Sequence, residues 1–76
     1  MAVLLQRVDR DRNMHRYYEV DVQPDLFGRW LLRMRWGRIG CGGRTRLVSF
    51  ATEQEAMMAR DQKLAAKEKR GYLVDS

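Results

Sequence analysis

Trp30-Leu31-Leu32-Arg33-Met34-Arg35-Trp36 runs into Gly37-Arg38-Ile39-Gly40-Cys41-Gly42-Gly43 and out through Arg44-Thr45-Arg46-Leu47-Val48-Ser49-Phe50. In the first segment Trp30, Leu32, Met34 and Trp36 stand two apart, with Arg33 and Arg35 between them. That period is the signature of a half-buried strand, one face apolar and one polar. The next seven residues hold four glycines and form a loop. Residues 44–50 resume the alternation, so the whole stretch reads as a β-hairpin with a glycine-rich tip.

Working outward, residues 15–22 alternate as well, with Tyr18, Val20 and Val22 on one face and Tyr17, Glu19 and Asp21 on the other. Pro24-Asp25 and Gly28 supply the turn that follows. Residues 3–8 alternate weakly and end in the polar run Asp9-Arg10-Asp11-Arg12-Asn13, suited to a turn. After Phe50 the period changes. Thr52-Glu53-Gln54-Glu55 fits a capping box, in which Thr52 and Glu55 satisfy each other's backbone N–H groups. Residues 53–70 are rich in Ala, Met, Glu, Gln, Lys and Leu, with acids in the first turn and bases in the last. Gly71 is a suitable residue to end the helix. Its expected apolar face is Ala56, Ala59, Leu64 and Ala66, helped by the stems of Arg60, Lys63 and Lys67. Tyr72-Leu73-Val74 offers a short closing strand.

The expected fold is therefore α+β, one domain over residues 1–76. It has a small twisted antiparallel sheet of about four strands, near residues 2–9, 15–23, 29–37 and 44–50. One long C-terminal helix, near residues 53–70, packs on one face. A chain of this length buries only about 60–65% of its unfolded surface, so the core is thin.

Charge narrows the function. The net charge is +5, carried by twelve arginines and three lysines. Arginine forks onto phosphate and stacks on flat rings, so its excess favours a nucleic-acid partner. The charge is also segregated. Arg29, Arg33, Arg35, Arg38, Arg44 and Arg46 follow one another with no Asp or Glu among them. Acids collect before that stretch, at Asp9, Asp11, Glu19, Asp21 and Asp25, and after it, at Glu53, Glu55, Asp61, Glu68 and Asp75.

Enzyme readings fail on inventory. His15 is the one histidine and no nucleophile is signalled beside it. No phosphate-binding GK[ST] loop, no HExxH and no carboxylate pair in an apolar setting occurs. One cysteine, Cys41, excludes an internal disulfide, and one Cys with one His cannot build a zinc site. No catalytic residue, metal, cofactor or small-molecule substrate is expected. The apolar run at residues 1–5 is broken by Gln6 and Arg7, too short for a signal or membrane span. With an unpaired cysteine, this points to a soluble cytoplasmic protein without membrane contact.

The glycine-rich tip holds the binding candidates. Its backbone N–H groups can turn towards an anion, and Arg38 and Arg44 flank it. Trp36 at its mouth either caps the core or stacks on an unpaired or terminal base. The expected nucleic-acid contacts are Trp36, Gly37, Arg38, Arg33, Arg35, Arg44 and Arg46.

Trp36-Gly37-Arg38 followed by Ile39-Gly40 resembles the name motif of the WGR domain. The surrounding residues make the match specific: Arg7-Val8-Asp9, Asn13, Arg16-Tyr17-Tyr18, Asp25-Leu26-Phe27-Gly28, Gly43-Arg44, Phe50, Ala56, Lys67 and Arg70-Gly71-Tyr72. The resemblance spans nearly the whole chain and implies a small antiparallel sheet with one helix. In poly(ADP-ribose) polymerases that respond to DNA breaks, such a domain contacts DNA near a strand end. By that similarity Trp36 packs against a terminal sugar or base, and Arg38 bridges nucleic acid to a neighbouring domain. The short bacterial members of the family are the better match. No catalytic region accompanies these residues, so the resemblance carries over no ADP-ribosylation, and Cys41 receives no role. DNA is favoured over RNA as partner, at ends or distorted duplex. The alternative is a protein-interaction or adapter module, including a homodimer, that uses the same basic face.

Overall fold

The computed structural model describes residues 2–74; Asp75, counted above among the acids, lies outside them. The elements follow in the order β1 (Ala2–Asp9), β2 (Met14–Pro24), β3 (Trp30–Arg38), β4 (Arg44–Phe50), α1 (Glu53–Lys69) and β5 (Leu73–Val74). All strand pairs are antiparallel, and the sheet order is β4-β3-β2-β1-β5. The fold is the expected α+β arrangement with one correction. The sheet has five strands, because Leu73 and Val74 pair with Gln6 and Leu5 on the free edge of β1. Gly71, at φ +92°, reverses the chain after the helix and brings these two residues alongside.

Register explains the core. Tyr18 faces Trp36 across β2 and β3, Val20 faces Met34, and Val22 faces Leu32. Directly opposed residues share a sheet face, so the apolar rows read from the two strands meet. Leu5, Val20 and Leu32 are fully buried, and Tyr18, Val22, Met34, Ala56 and Tyr72 complete the core. Beyond β3 the match continues at one end only. Trp30 faces Phe50 and Leu32 faces Val48, but Met34 faces Arg46 and Trp36 faces Arg44. The helix-side face thus turns from apolar to cationic along β4.

At the start of α1, the Glu55 N–H donates to Thr52 Oγ1 at 3.2 Å, one half of the capping box. At its end, the Tyr72 N–H donates to the Lys67 carbonyl (3.2 Å) and the Gly71 N–H to the Glu68 carbonyl (3.0 Å). That pair, with Gly71 left-handed, is a Schellman motif, and it stops the helix at Lys69, one residue short of expectation. The buried face also shifts. Ala56, Ala59 and Leu64 pack as expected, but Ala66 is exposed and Met57 takes part instead. At about 100° per residue, Met57 lies roughly 20° from Leu64, which packs on the core, and Ala66 roughly 160°.

The β2–β3 turn, at the far end from the glycine-rich loop, is closed by Asp25. Its Oδ1 accepts from the N–H groups of Phe27 (2.8 Å) and Arg29 (2.9 Å).

Candidate nucleic-acid interface

The glycine-rich loop is a tight structure. The Ile39 N–H donates to the His15 carbonyl (2.8 Å) and the Cys41 N–H to the Arg38 carbonyl (3.0 Å), with Gly40 at φ +85°. Two of the backbone donors expected to face an anion are therefore engaged within the protein. At the neck of the hairpin, a Cβ on Gly37 would stand 3.0 Å from the Gly43 Cα. One on Gly43 would collide with the Tyr17 hydroxyl and the Trp36 carbonyl. Glycine here lets the two strands and the Tyr17 ring close on one another, which fixes the backbone at Trp36.

Around Trp36 the helix-side surface is hollowed twice. A concavity of about 480 Å³ lies between the β1–β2 turn, the end of β3 and the end of the helix; Arg12, Arg16, Trp36, Arg38, Lys67 and Tyr72 are among its walls. A second, of about 280 Å³, lies between β3, β4 and α1 and is walled by Trp36, Arg46, Lys63, Lys67 and Arg70 over Tyr18 and Met34. Trp36 and Lys67 border both. Seven cationic side chains line the pair and no carboxylate does. Of the seven, only Arg12 has a carboxylate partner among the described residues, Asp9 at 3.8 Å.

Lys67 reports on that field. Its Nζ stands 4.9 Å from the Tyr18 ring centroid and 5.4 Å from that of Tyr72, so two aromatic faces hold it. Partial burial pushes its pKa below the ordinary lysine value, and the charges of Arg70, Lys63 and Arg16 push it further the same way. Burial alone raises the Tyr18 hydroxyl. A cluster of like charges this close is destabilising by itself and is relieved by an anion.

The seven expected contact residues divide. Trp36, Gly37 and Arg38 line the first concavity, and Arg46 lines the second. Arg44, opposite Trp36, is exposed on the same face. Arg33 and Arg35 lie on the other face of the sheet, where acids meet them. Arg33 Nη2 is 3.5 Å from Glu19 Oε1 and 3.8 Å from Asp21 Oδ2, and Arg35 Nη1 is 3.9 Å from Glu19 Oε1. The structure adds Arg12, Arg16, Lys63, Lys67 and Arg70, which sequence reasoning did not place here. A signal for three of them was present: Lys63, Lys67 and Arg70 are spaced four and three apart, one stripe of a helix.

A one-helix antiparallel sheet with a strongly basic, aromatic-centred concavity is a small α+β domain with a candidate anion site. Residues 1–76 match the family model described as WGR domain, and the chain belongs to that family. It is also similar to "Uncharacterized protein y4dW" of Sinorhizobium fredii (strain NBRC 101917 / NGR234), 41% identical over 68 residues. That match covers 90% of this chain and 33% of the relative, so the chain spans about a third of the relative's length. No solved structure matches the chain.

Proposed function

We propose that this WGR domain binds nucleic acid, DNA in preference to RNA, through the helix-side concavities at Trp36. The reading makes it a binding module of the cytoplasm with no chemistry of its own. The observation that carries it is the convergence of seven cations from the β1–β2 turn, β2, β3, β4 and α1 on one partly buried tryptophan, six of them without a carboxylate partner among the described residues. Arginine and lysine neutralise phosphates and release counterions, which supplies affinity without reading sequence. Trp36 supplies a ring face, which a paired, stacked interior base pair cannot meet but a terminal or distorted one can. Ends and distortions are therefore the preferred targets.

The test is fluorescence anisotropy with a labelled blunt DNA hairpin and a closed circular duplex at several salt concentrations. With about four or five phosphates engaged, log K falls against log salt with a slope of roughly −3.5 to −4.5. The hairpin binds more tightly. Trp36→Ala costs the hairpin about tenfold and the circle much less. Binding indifferent to salt, or equal losses on both DNAs, overturns the reading.

A further inference from the structure

Two hollows, not one, flank Trp36, and they carry equal sets of cations. Arg12, Arg16 and Arg38 stand around the larger; Arg46, Lys63 and Arg70 stand around the smaller; Lys67 is common to both. Trp36 thus stands between two cation-lined hollows. The smaller hollow, at about 280 Å³, is several times the roughly 30 Å³ share of a water molecule in the liquid. That is room for a phosphate with its sugar.

A blunt duplex end uses this surface incompletely. Its terminal pair can cover the Trp36 ring, and one backbone can enter one hollow. That strand then has no further phosphate for the adjoining hollow, and the other strand's backbone lies across the full width of the base pair. An unpaired strand that continues past the last base pair has no such limit. It places one base on Trp36 and a phosphate on either side, the combination of stacking platform and basic track that proteins use for single strands. The arrangement also relieves Lys67. Its ammonium is held under both hollows and repelled by Arg16 from one side and by Lys63 and Arg70 from the other. A strand with a phosphate in each hollow sets a negative charge beside both groups of cations that repel it.

We infer that the preferred ligand of this interface is the junction where an unpaired strand leaves a duplex, with the strand crossing Trp36 from one hollow into the other. The inference rests on the nucleic-acid reading above and goes beyond it by naming the strand state. Lys63, Arg46 and Arg70 become the residues that tell a tailed end from a blunt one.

The experiment compares three labelled DNA hairpins of one stem sequence: blunt, with a 5′ tail of four thymidines, and with a 3′ tail of four thymidines. Anisotropy titrations use the full chain at one low salt concentration. One or both tails tighten binding about tenfold over the blunt stem. Lys63→Gln with Arg70→Gln, two exposed positions, lowers affinity for every hairpin and brings the tailed-to-blunt ratio close to one. Equal affinity of the unsubstituted chain for blunt and tailed stems overturns the inference and leaves the nucleic-acid reading standing. A tail preference that survives the double substitution overturns the assignment of the second hollow. No binding to any of the three overturns both readings together.

Discussion

The arginines of β3 and β4 divide by parity, and the two groups live in different surroundings. Arg33 and Arg35 project from the open face of the sheet beside Glu19 and Asp21, their neighbours across the β2–β3 ladder. Arg38, Arg44 and Arg46 lie on the helix side, where they pair with no carboxylate among the described residues. There the helix brings Lys63, Lys67 and Arg70 to the same place and adds positive charge. Arginine on one face closes a local charge balance. On the other it carries positive charge that no carboxylate among the described residues offsets. Residue type and proximity in sequence are the same in both; the strand's pleat decides which arginine is available.

That contrast can be broken most forcefully from the helix side. Replacing Arg38 and Arg46 together by Gln lowers affinity for a DNA hairpin by about a hundredfold at low salt, taking each as a charge-assisted contact. It also flattens the salt slope by about 2. Anisotropy measures both, and a loss of affinity with an unchanged slope would mean that neither arginine meets a phosphate. The hairpin neck gives the next largest effect. Gly43→Ala forces the strands apart against Tyr17 and Trp36 and destabilises the domain by about 1–3 kcal/mol in urea unfolding. An unchanged midpoint would show that the neck has slack.

The open face yields less. Arg33→Gln with Arg35→Gln leaves DNA affinity within about twofold. It removes partly exposed ion pairs worth about 0.2–1 kcal/mol each, more at low salt than at high. A large loss of DNA affinity here would erase the distinction between the faces. The smallest effect is a titration of the Lys67 ammonium by NMR. In the free domain it titrates below the ordinary lysine value, since burial and neighbouring cations disfavour its charge. Bound DNA offsets those cations, so the value rises on binding, and affinity weakens as pH climbs into that range. Folding lowers the Lys67 value, so the unfolded chain holds more proton just below 10.5. Through this group, stability therefore rises with pH in that window.

Much of the fold was legible. The alternation through Trp30, Leu32, Met34 and Trp36 gave β3 its face, and Thr52 and Gly71 marked the ends of the helix within a residue. β5 was harder because two residues carry no period, and its pairing depends on where Gly71 sends the chain. Ala66 and Met57 exchanged roles because alanine and methionine suit a helix surface and a helix core almost equally. The layout of the candidate site was half legible. Counting arginines along the chain sums over both faces of a strand. The alternation that turned Leu32 and Met34 inward already turned Arg33 and Arg35 outward. Their acidic partners could be named only once the β2–β3 register was known. The cations of α1 belong to the site through tertiary packing, and their spacing reads equally well as a solvated helix stripe.

Two tryptophans on one strand allow a direct test. Trp30 and Trp36 are six residues apart on β3, roughly 20 Å, with Trp30 against Phe50 and Trp36 between the two hollows. Their indole N–H signals can be followed separately in a ¹⁵N-edited NMR spectrum as a DNA hairpin is added. The Trp36 signal shifts and saturates with the backbone amides of Arg38 and Arg16, while Trp30, Arg33 and Arg35 stay in place. Movement of Trp30 or of the open-face amides, with Trp36 unmoved, would contradict the account and put the interface elsewhere.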